Sequence, residues 1–183
     1  MIDVTRIPFD ALPIQLQDEL GAKVKRLGYL GEFFQVAAHQ PEALYHFNRF
    51  TETLKDALPV NLVELLALTL STWSENIYEQ VQHERLSLKL GQSEAWVRDV
   101  ERLSPDNAKE LSPVEQATQR LALSMATTQG RRSQPDAQAL LEHTDEKMLV
   151  GIMLTVGRYL AHSALSNTMQ FKAPMPSPLG VRS

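Results

Sequence analysis

The sequence predicts an all-helical fold, and two observations support this. Apolar residues recur every three or four positions along nearly every segment, which is the spacing of one face of an α-helix. No segment shows the sustained alternation of apolar and polar residues that a half-buried strand requires. A chain of 183 residues can bury a core as one domain. We therefore expect a single domain over residues 1–183, with its core at about 6–172 and a loose proline-containing tail at 173–183.

Prolines and glycines mark the boundaries in the first part of the chain. Pro13 fits the first turn of an opening helix, and Gly28 and Gly31 interrupt the chain after it. Pro41 starts the third helix, and Pro59 separates that helix from a strongly apolar fourth one. The first four expected helices are residues 13–27, 32–39, 41–58 and 60–70.

Capping residues mark the later helices. Residues 71–74, Ser-Thr-Trp-Ser, are rich in capping side chains, so we expect a break there. Gly91 is a natural C-terminal stop for the helix that follows. Residues 112–115 combine an N-cap serine, a first-turn proline and a capping-box glutamate. Residues 144–146 cap the last and longest helix. The later expected helices are residues 75–90, 94–103, 112–128, 136–142 and 144–171.

The last expected helix is apolar on several sides. Leu149, Ile152 and Val156 are among the residues that cover much of its circumference, and Gly151 and Gly157 would allow another backbone to approach closely. A helix of this kind is buried centrally or lies at a subunit interface. We therefore expect an obligate homo-oligomer whose contacts include this helix.

Composition excludes several classes of protein. The net charge is -4 and no basic stripe carries interleaved aromatic residues, so we expect no nucleic-acid partner. The first residues lack the order of a signal peptide, and no apolar run looks long enough to cross a bilayer, so we expect no membrane and a cytoplasmic location. The chain has no cysteine, which excludes disulfides, thiolate metal sites and thiol redox chemistry.

No metal or cofactor is expected. Histidines outside residues 75–83 have no second ligand at a recognised metal spacing, and we interpret them as scattered surface or core residues. These histidines are His39, His46, His143 and His162.

A polar constellation stands at residues 75–83, Glu-Asn-Ile-Tyr-Glu-Gln-Val-Gln-His. On a helix, Asn76, Glu79 or Gln80, and His83 share one face, because residues three and four apart are neighbours. A carboxylate one turn before an imidazole can orient the ring and raise its pKa, which suits acid–base chemistry. The same spacing also occurs in solvated surface pairs, which stabilise little.

A carboxylate in the preceding helix strengthens the functional interpretation. Glu64 has apolar neighbours on nearly every side, so its charge should be at least partly buried. A buried carboxylate requires a partner or a raised pKa. The alternative is a capping or salt-bridging glutamate paired with Arg49 or Lys55.

The order of these residues resembles the carboxymuconolactone decarboxylase and alkylhydroperoxidase D-like superfamily. The peroxidase branch has Cys-x-x-Cys-x-x-x-His, with a glutamate twelve residues before the first cysteine. That glutamate matches Glu64, the two cysteine positions match Asn76 and Glu79, and the histidine matches His83. Tyr78 occupies the position of a proton-relay histidine in that branch. The decarboxylase branch commonly has glutamate at the second cysteine position, as Glu79 does here.

The resemblance extends over residues 6–172 and includes the segments 37–42, 48–50 and 149–167. It implies a helical bundle that forms trimers or multiples of them. Because both sulfurs are absent, disulfide exchange with a peroxide is chemically excluded.

The resemblance implies a decarboxylase-like enzyme that moves protons on a small organic acid or lactone. His83 acts as base or acid and a glutamate orients it. The alternative is a non-catalytic ligand-binding or structural oligomer on the same scaffold. We expect the Glu64 and His83 side chains to lie within hydrogen-bond reach. The expected catalytic residues are His83, Glu79 and Glu64, and the expected substrate-binding residues are Tyr78, Asn76, Trp73 and Asn167.

Overall fold

Helix α4, Val60–Trp73, is the central element of residues 54–180 in a computed structural model that describes residues 3–180. Its ten consecutive residues Leu62 to Ser71 are all buried. A helix that is apolar on all sides requires neighbours on all sides. Helices α5, α6, α7 and α9 pack against it.

The described residues form nine α-helices and two short 3-10 turns, and residues 3–180 contain no strand. The predicted all-helical class is therefore confirmed. The observed bounds lie within three residues of the predicted ones. The helices are α1 (Ile14–Leu27), α2 (Glu32–Ala37), α3 (Pro41–Ala57), α4 (Val60–Trp73), α5 (Ile77–Lys89), α6 (Glu94–Glu101), α7 (Pro113–Thr128), α8 (Gln134–Leu141) and α9 (Glu146–Met169).

The break between α4 and α5 lies later than predicted. Residues 71–73 continue α4, because the Ser71 and Ser74 hydroxyls donate to the carbonyls of Leu68 and Leu70. Serines that bond back along their own helix do not start a new one. The residue that caps α5 is Asn76, whose side chain accepts a hydrogen bond from the backbone of Glu79.

Residues 54–180 form one compact unit around an apolar core. The capping box predicted at residues 112–115 is present: the Ser112 backbone N–H donates to the Glu115 carboxylate over 2.8 Å. Gly151 on α9 allows the Leu58 side chain to pack closely, because a Cβ atom at Gly151 would lie only 3.1 Å from that side chain. The core consists of apolar residues from α4, α6, α7 and α9, among them Leu65, Leu66, Val97, Leu121, Ile152 and Val156.

Residues 3–53 form a second compact unit. In it the Lys23 ammonium donates to the side-chain oxygen of Asn48 over 2.8 Å, and the side-chain nitrogen of Asn48 donates to the Glu19 carboxylate over 2.7 Å. These bonds join α1 to α3 across a buried asparagine. The single domain predicted for residues 1–183 stays a prediction.

Helix α9 corrects one expectation. Its 24 residues are long and apolar enough to cross a membrane by length and composition, so the expectation that no run reaches that length was wrong. Four of its polar residues, however, face the interior of the unit: Thr155, His162, Ser163 and Ser166 are buried. Buried polar residues with protein partners are typical of a helix that packs in a protein core. On the opposite face Val150, Met153 and Leu154 are exposed.

The segment after α9 has no helix but is held by hydrogen bonds. The Arg85 guanidinium donates to the carbonyl of Pro176 over 2.6 Å, and the Ser177 hydroxyl donates to the Glu84 carboxylate. The described part of the predicted loose tail, residues 173–180, therefore lies against α5. Residues 181–183 are outside the described part of the chain.

Candidate active site

The turn between α4 and α5 aligns the residues of the polar constellation. Asn76 is almost fully buried. Its side-chain oxygen accepts a hydrogen bond from the backbone N–H of Glu79 over 3.3 Å, and its side-chain nitrogen donates to the Ser163 hydroxyl over 3.2 Å. Asn167 donates to the carbonyl of Ser74 over 2.6 Å. Together these amides tie the start of α5 to α9.

The predicted contact between Glu64 and His83 is present. The Nδ1 atom of His83 lies 2.8 Å from Oε2 of Glu64. The two side chains are 12% and 4% exposed, so this is a desolvated pair. The alternative partner Arg49 lies instead 3.8 Å from Glu19, within the other unit.

A second carboxylate completes the surroundings of the His83 ring. Oε2 of Glu79, one turn earlier on α5, lies 3.5 Å from Nε2 of His83. Helix α9 brings two more basic groups to the same carboxylate. Nε2 of His162 lies 3.6 Å from Oε1 of Glu79, and an Arg158 guanidinium nitrogen lies 4.0 Å from Oε2. Glu79 is therefore the centre of the cluster formed by Glu64, Glu79, His83, Arg158 and His162, which we call the charge cluster.

Opposite effects set the pKa values in this cluster. Burial lowers the pKa of His83, but the charge and hydrogen bond of Glu64, with a smaller contribution from Glu79, outweigh burial and raise that pKa to about 9. Burial raises the pKa of Glu79, but the charge of His162, the hydrogen bond and charge of His83 and the charge of Arg158 hold it well below its usual range. At neutral pH the site therefore contains a His83 imidazolium and an ionised Glu79. A protonated imidazole can donate a proton and cannot accept one.

Aromatic rings fix the positions of both imidazoles. The Tyr159 ring stands edge-to-face with His83 at 5.7 Å between centroids, and the Arg158 guanidinium lies 4.3 Å above the same tyrosine. The Tyr78 ring is nearly parallel to His162 at 6.4 Å. The predicted site residue Tyr78 is thus buried against the second histidine.

The predicted residues divide into two groups. Glu64, Glu79 and His83 meet directly. Asn76 and Asn167 fix the α4–α5 turn, and Trp73 lies at the C-terminal end of α4 with 38% of its surface exposed. The substrate-binding role of the four residues in the second set, Tyr78, Asn76, Trp73 and Asn167, stays a prediction.

Helix α9 supplies the residues that sequence reasoning missed. Arg158, Tyr159 and His162 follow a spacing that places them on one side of a helix. The Ser166 hydroxyl lies 3.2 Å from Nδ1 of His162. From the sequence alone, His162 is a scattered surface or core histidine; the structure buries it against Glu79. The only available signal was a row of polar residues on an otherwise apolar helix, and it did not indicate which helix they would face.

The charge cluster does not line the open cleft found beside α5. That cleft, of about 490 Å³, lies between Ile77 and Val81 on one side and residues 173–180 on the other. Its walls are mainly apolar, and none of the predicted site residues contributes to them. Among residues 3–180, no three His, Asp or Glu side chains are arranged to hold a metal ion.

No protein-family model matches the sequence, and no curated protein matches it. Solved structures do match. One is an AhpD-core, peroxidase-related protein from Ralstonia eutropha JMP134, with 18% identity, a TM-score of 0.79 and 94% of each chain covered. Another is a variant of the debrominase Bmp8 in complex with 2,3,4-tribromopyrrole, with 14% identity, a TM-score of 0.80 and 94% of this chain and 91% of that chain covered.

A third is a putative antioxidant defence protein AhpD from Agrobacterium tumefaciens, with 17% identity, a TM-score of 0.68 and 76% of this chain and 96% of that chain covered. The TM-scores establish the fold, and at identities this low they establish the fold alone. The chain has the alkylhydroperoxidase D-like helical fold, in a form without cysteine.

Proposed function

We propose that the protein is a small-molecule enzyme that uses acid–base chemistry on an organic acid or lactone, in the manner of a decarboxylase. The observation that carries the proposal is the His83 ring, which is held between two carboxylates in a largely desolvated site. Structural ion pairs are also desolvated, but a perturbed pKa beside a second histidine and an arginine is typical of a site that moves protons.

The geometry favours His83 as the acid. Its Nδ1 is held at 2.8 Å by Glu64, whereas Nε2 lies 3.5 Å from Glu79 and is the less tightly bound nitrogen. In the proposed step the C–C bond to a substrate carboxylate breaks, CO₂ leaves, and the electron pair stays on the carbon. That carbon then takes the proton from Nε2, and neutral His83 regains a proton from water.

The remaining members of the charge cluster would stabilise the negative charge of the intermediate. Arg158 and the imidazolium are cations, and interactions of this kind are strong when water is excluded. Glu64 orients the ring and maintains its tautomer. No thiol takes part, because the chain has no cysteine.

The similar structures support a small organic occupant. The debrominase Bmp8 binds a small halogenated ring on the same fold. The Ralstonia eutropha protein is described as peroxidase-related, and the Agrobacterium tumefaciens protein as a putative antioxidant defence protein. Dithiol peroxidase chemistry requires a sulfur that forms a sulfenate, and this sequence contains none.

The proposal is tested by incubating the protein with small carboxylated lactones and β-keto acids in D₂O. Turnover should release CO₂ and place one deuterium on the carbon that lost it, as read by NMR. His83→Gln should abolish the reaction, and His143→Gln, at an exposed histidine of the same unit, should leave it unchanged. Equal rates in the wild type and His83→Gln would refute the acid role.

One observation favours the second candidate, a non-catalytic scaffold. Glu64, Glu79 and His162 are buried: Glu79 contacts His162, His83 links Glu79 to Glu64, and none of these residues lines the open cleft. If the cluster is structural, Glu64→Gln, His83→Ala and Tyr78→Phe should each destabilise the protein by about 1–3 kcal/mol through unsatisfied partners. If it is a site under functional constraint, the three changes should not give uniformly large losses, and Tyr78→Phe, which leaves the charged pairs in place, should show a small or positive shift in thermal melts at two pH values.

We further propose a cytoplasmic homo-oligomer, a trimer or hexamer, that binds a small molecule and neither nucleic acid nor membrane. The support for an oligomer is the exposed apolar face of α9, on which Val150 is 53%, Leu154 46% and Met153 39% exposed. A side chain placed at Gly157 would meet no atom within 4 Å, so this face is open in the isolated chain. Apolar surface of this kind is typical of protein–protein contacts.

A further inference from the structure

Helix α9 holds His162 between two polar partners inside the protein. The residue is 2% exposed. Its Nε2 lies 3.6 Å from Oε1 of Glu79, and its Nδ1 lies 3.2 Å from the Ser166 hydroxyl. Both nitrogens therefore have a defined neighbour, and the ring has one orientation that serves both.

Two aromatic rings support that orientation. The Tyr78 ring is inclined by 14° to the His162 ring, and the Phe171 ring packs against Tyr78 at 5.5 Å. Tyr78 and Phe171 are both buried. Phe171, Tyr78 and His162 thus form a row of rings. The last of them, His162, contacts Oε1 of Glu79, whereas His83 contacts Oε2.

The two oxygens of Glu79 face different elements. Oε1 faces His162 on α9, and Oε2 faces His83 on α5 together with Arg158 on α9. Glu64 from α4 faces the other side of the His83 ring, and Tyr159 from α9 lies at its edge. A carboxylate is free to rotate about its last bond, so a contact to one oxygen determines where the other one points.

We propose that His162 is a positioning residue: by holding Oε1 of Glu79, it keeps Oε2 directed at His83. This inference rests on the acid–base function proposed above for its role in catalysis. The positioning itself is a property of the resting protein and can be measured without a substrate.

Two amide substitutions separate the contacts of His162. The amide nitrogen of glutamine reaches about as far as Nε2, so His162→Gln retains a donor to Glu79. The shorter asparagine reaches only as far as Nδ1, so His162→Asn retains the contact with Ser166 and loses the one with Glu79. Both variants remove the same ring and the same capacity for charge, which makes them matched controls for each other.

The measurement is the titration of the His83 ring by NMR of ¹⁵N-histidine-labelled protein. We expect His162→Gln to retain the wild-type titration. In His162→Asn the carboxylate of Glu79 turns away, and His83 should bind its proton at least about tenfold less tightly, one pH unit lower. Identical His83 titrations in the two variants would overturn the proposal.

A second pair tests the same idea if His162→Asn does not fold. Tyr78→Phe keeps the ring that packs on His162, whereas Tyr78→Leu removes it. Only Tyr78→Leu should lower the His83 titration, and a lowering in both variants, or in neither, would contradict the supporting role of the ring.

The outcomes also separate this inference from the proposed function. If the His83 titration responds as expected but no lactone or keto acid is turned over, the positioning role stands and the enzymatic proposal fails. If turnover depends on His83 while the two His162 variants behave alike in titration and in the pH profile of the rate, the positioning role fails.

Discussion

The pH dependence of stability is the most direct consequence of the buried His83. Its pKa is 6.5 in an unfolded chain and about 9 in the folded protein. Because the folded pKa is the higher one, the contribution of His83 to stability is fully present below about pH 6.5. It is lost progressively as pH rises through about 9.

The magnitude follows from that interval. About 2.5 pH units at about 1.4 kcal/mol each give a change of about 3 kcal/mol in the free energy of unfolding. The side chain is only 12% exposed, so solvent screening removes little of this value. Glu64 supplies most of the effect, because its charge and hydrogen bond are the largest influences that raise the pKa.

The assay is urea unfolding of the wild type and His83→Gln at several values between about pH 5.5 and pH 10. The difference between the two should be largest at the acidic end and should shrink by about 3 kcal/mol towards the alkaline end. Subtracting the variant removes the titration of lysines and tyrosines from the comparison. A difference for His83→Gln that is constant or grows with pH would refute the reasoning.

Three further predictions concern other parts of the molecule. The Asp99 carboxylate accepts hydrogen bonds from the backbone N–H groups of Glu110 and Lys109, and these bonds, with the charge of Arg102, hold its pKa below the usual 3.8 although burial raises it. Asp99→Asn should therefore lower the free energy of unfolding in urea by about 1–3 kcal/mol at neutral pH. The loss should be much smaller at a pH low enough to protonate the wild-type carboxylate. On the exposed face of α9, Leu154→Glu should dissociate the proposed oligomer in sedimentation while the fold persists, whereas Ile152→Asp, at a buried position, should unfold the protein. A wild type that is monomeric at micromolar concentration would contradict the proposed oligomer. With any dithiol donor the protein should not turn over peroxide, and metal-free turnover that His83→Ala abolishes would show that the chemistry does not require sulfur.

Local rules predicted the helices because their ends are determined by adjacent residues. Pro13, Pro41 and the capping box at 112–115 mark the starts of helices almost where the structure has them. The α4–α5 break was placed early because serines were interpreted as caps. Whether a serine caps a new helix or bonds back along its own depends on the path of the chain, which the residue type does not determine.

The charge cluster was only half predictable. Glu64 and His83 lie on α4 and α5, which a short turn connects. A short connection brings consecutive helices together, so this contact could be predicted from the sequence. The contribution of α9 depends on which of its faces meets α5, and its apolar residues cover too much of the circumference to determine that. Without that packing the low pKa of Glu79 could not be inferred, since His162 is the largest influence that lowers it.

The sequence separation of the paired residues has a consequence for the order of folding. Glu64 and His83 are 19 residues apart, whereas residues 79 and 162, which also meet, are 83 residues apart, with all of α6, α7 and α8 between them. Closing the longer loop costs about 1 kcal/mol more conformational entropy. We therefore expect the α4–α5 pair to form in the transition state for folding and α9 to dock after it. Stopped-flow measurements should show that Glu64→Gln slows refolding, whereas His162→Asn mainly speeds unfolding. The reverse pattern would mean that α9 nucleates the fold.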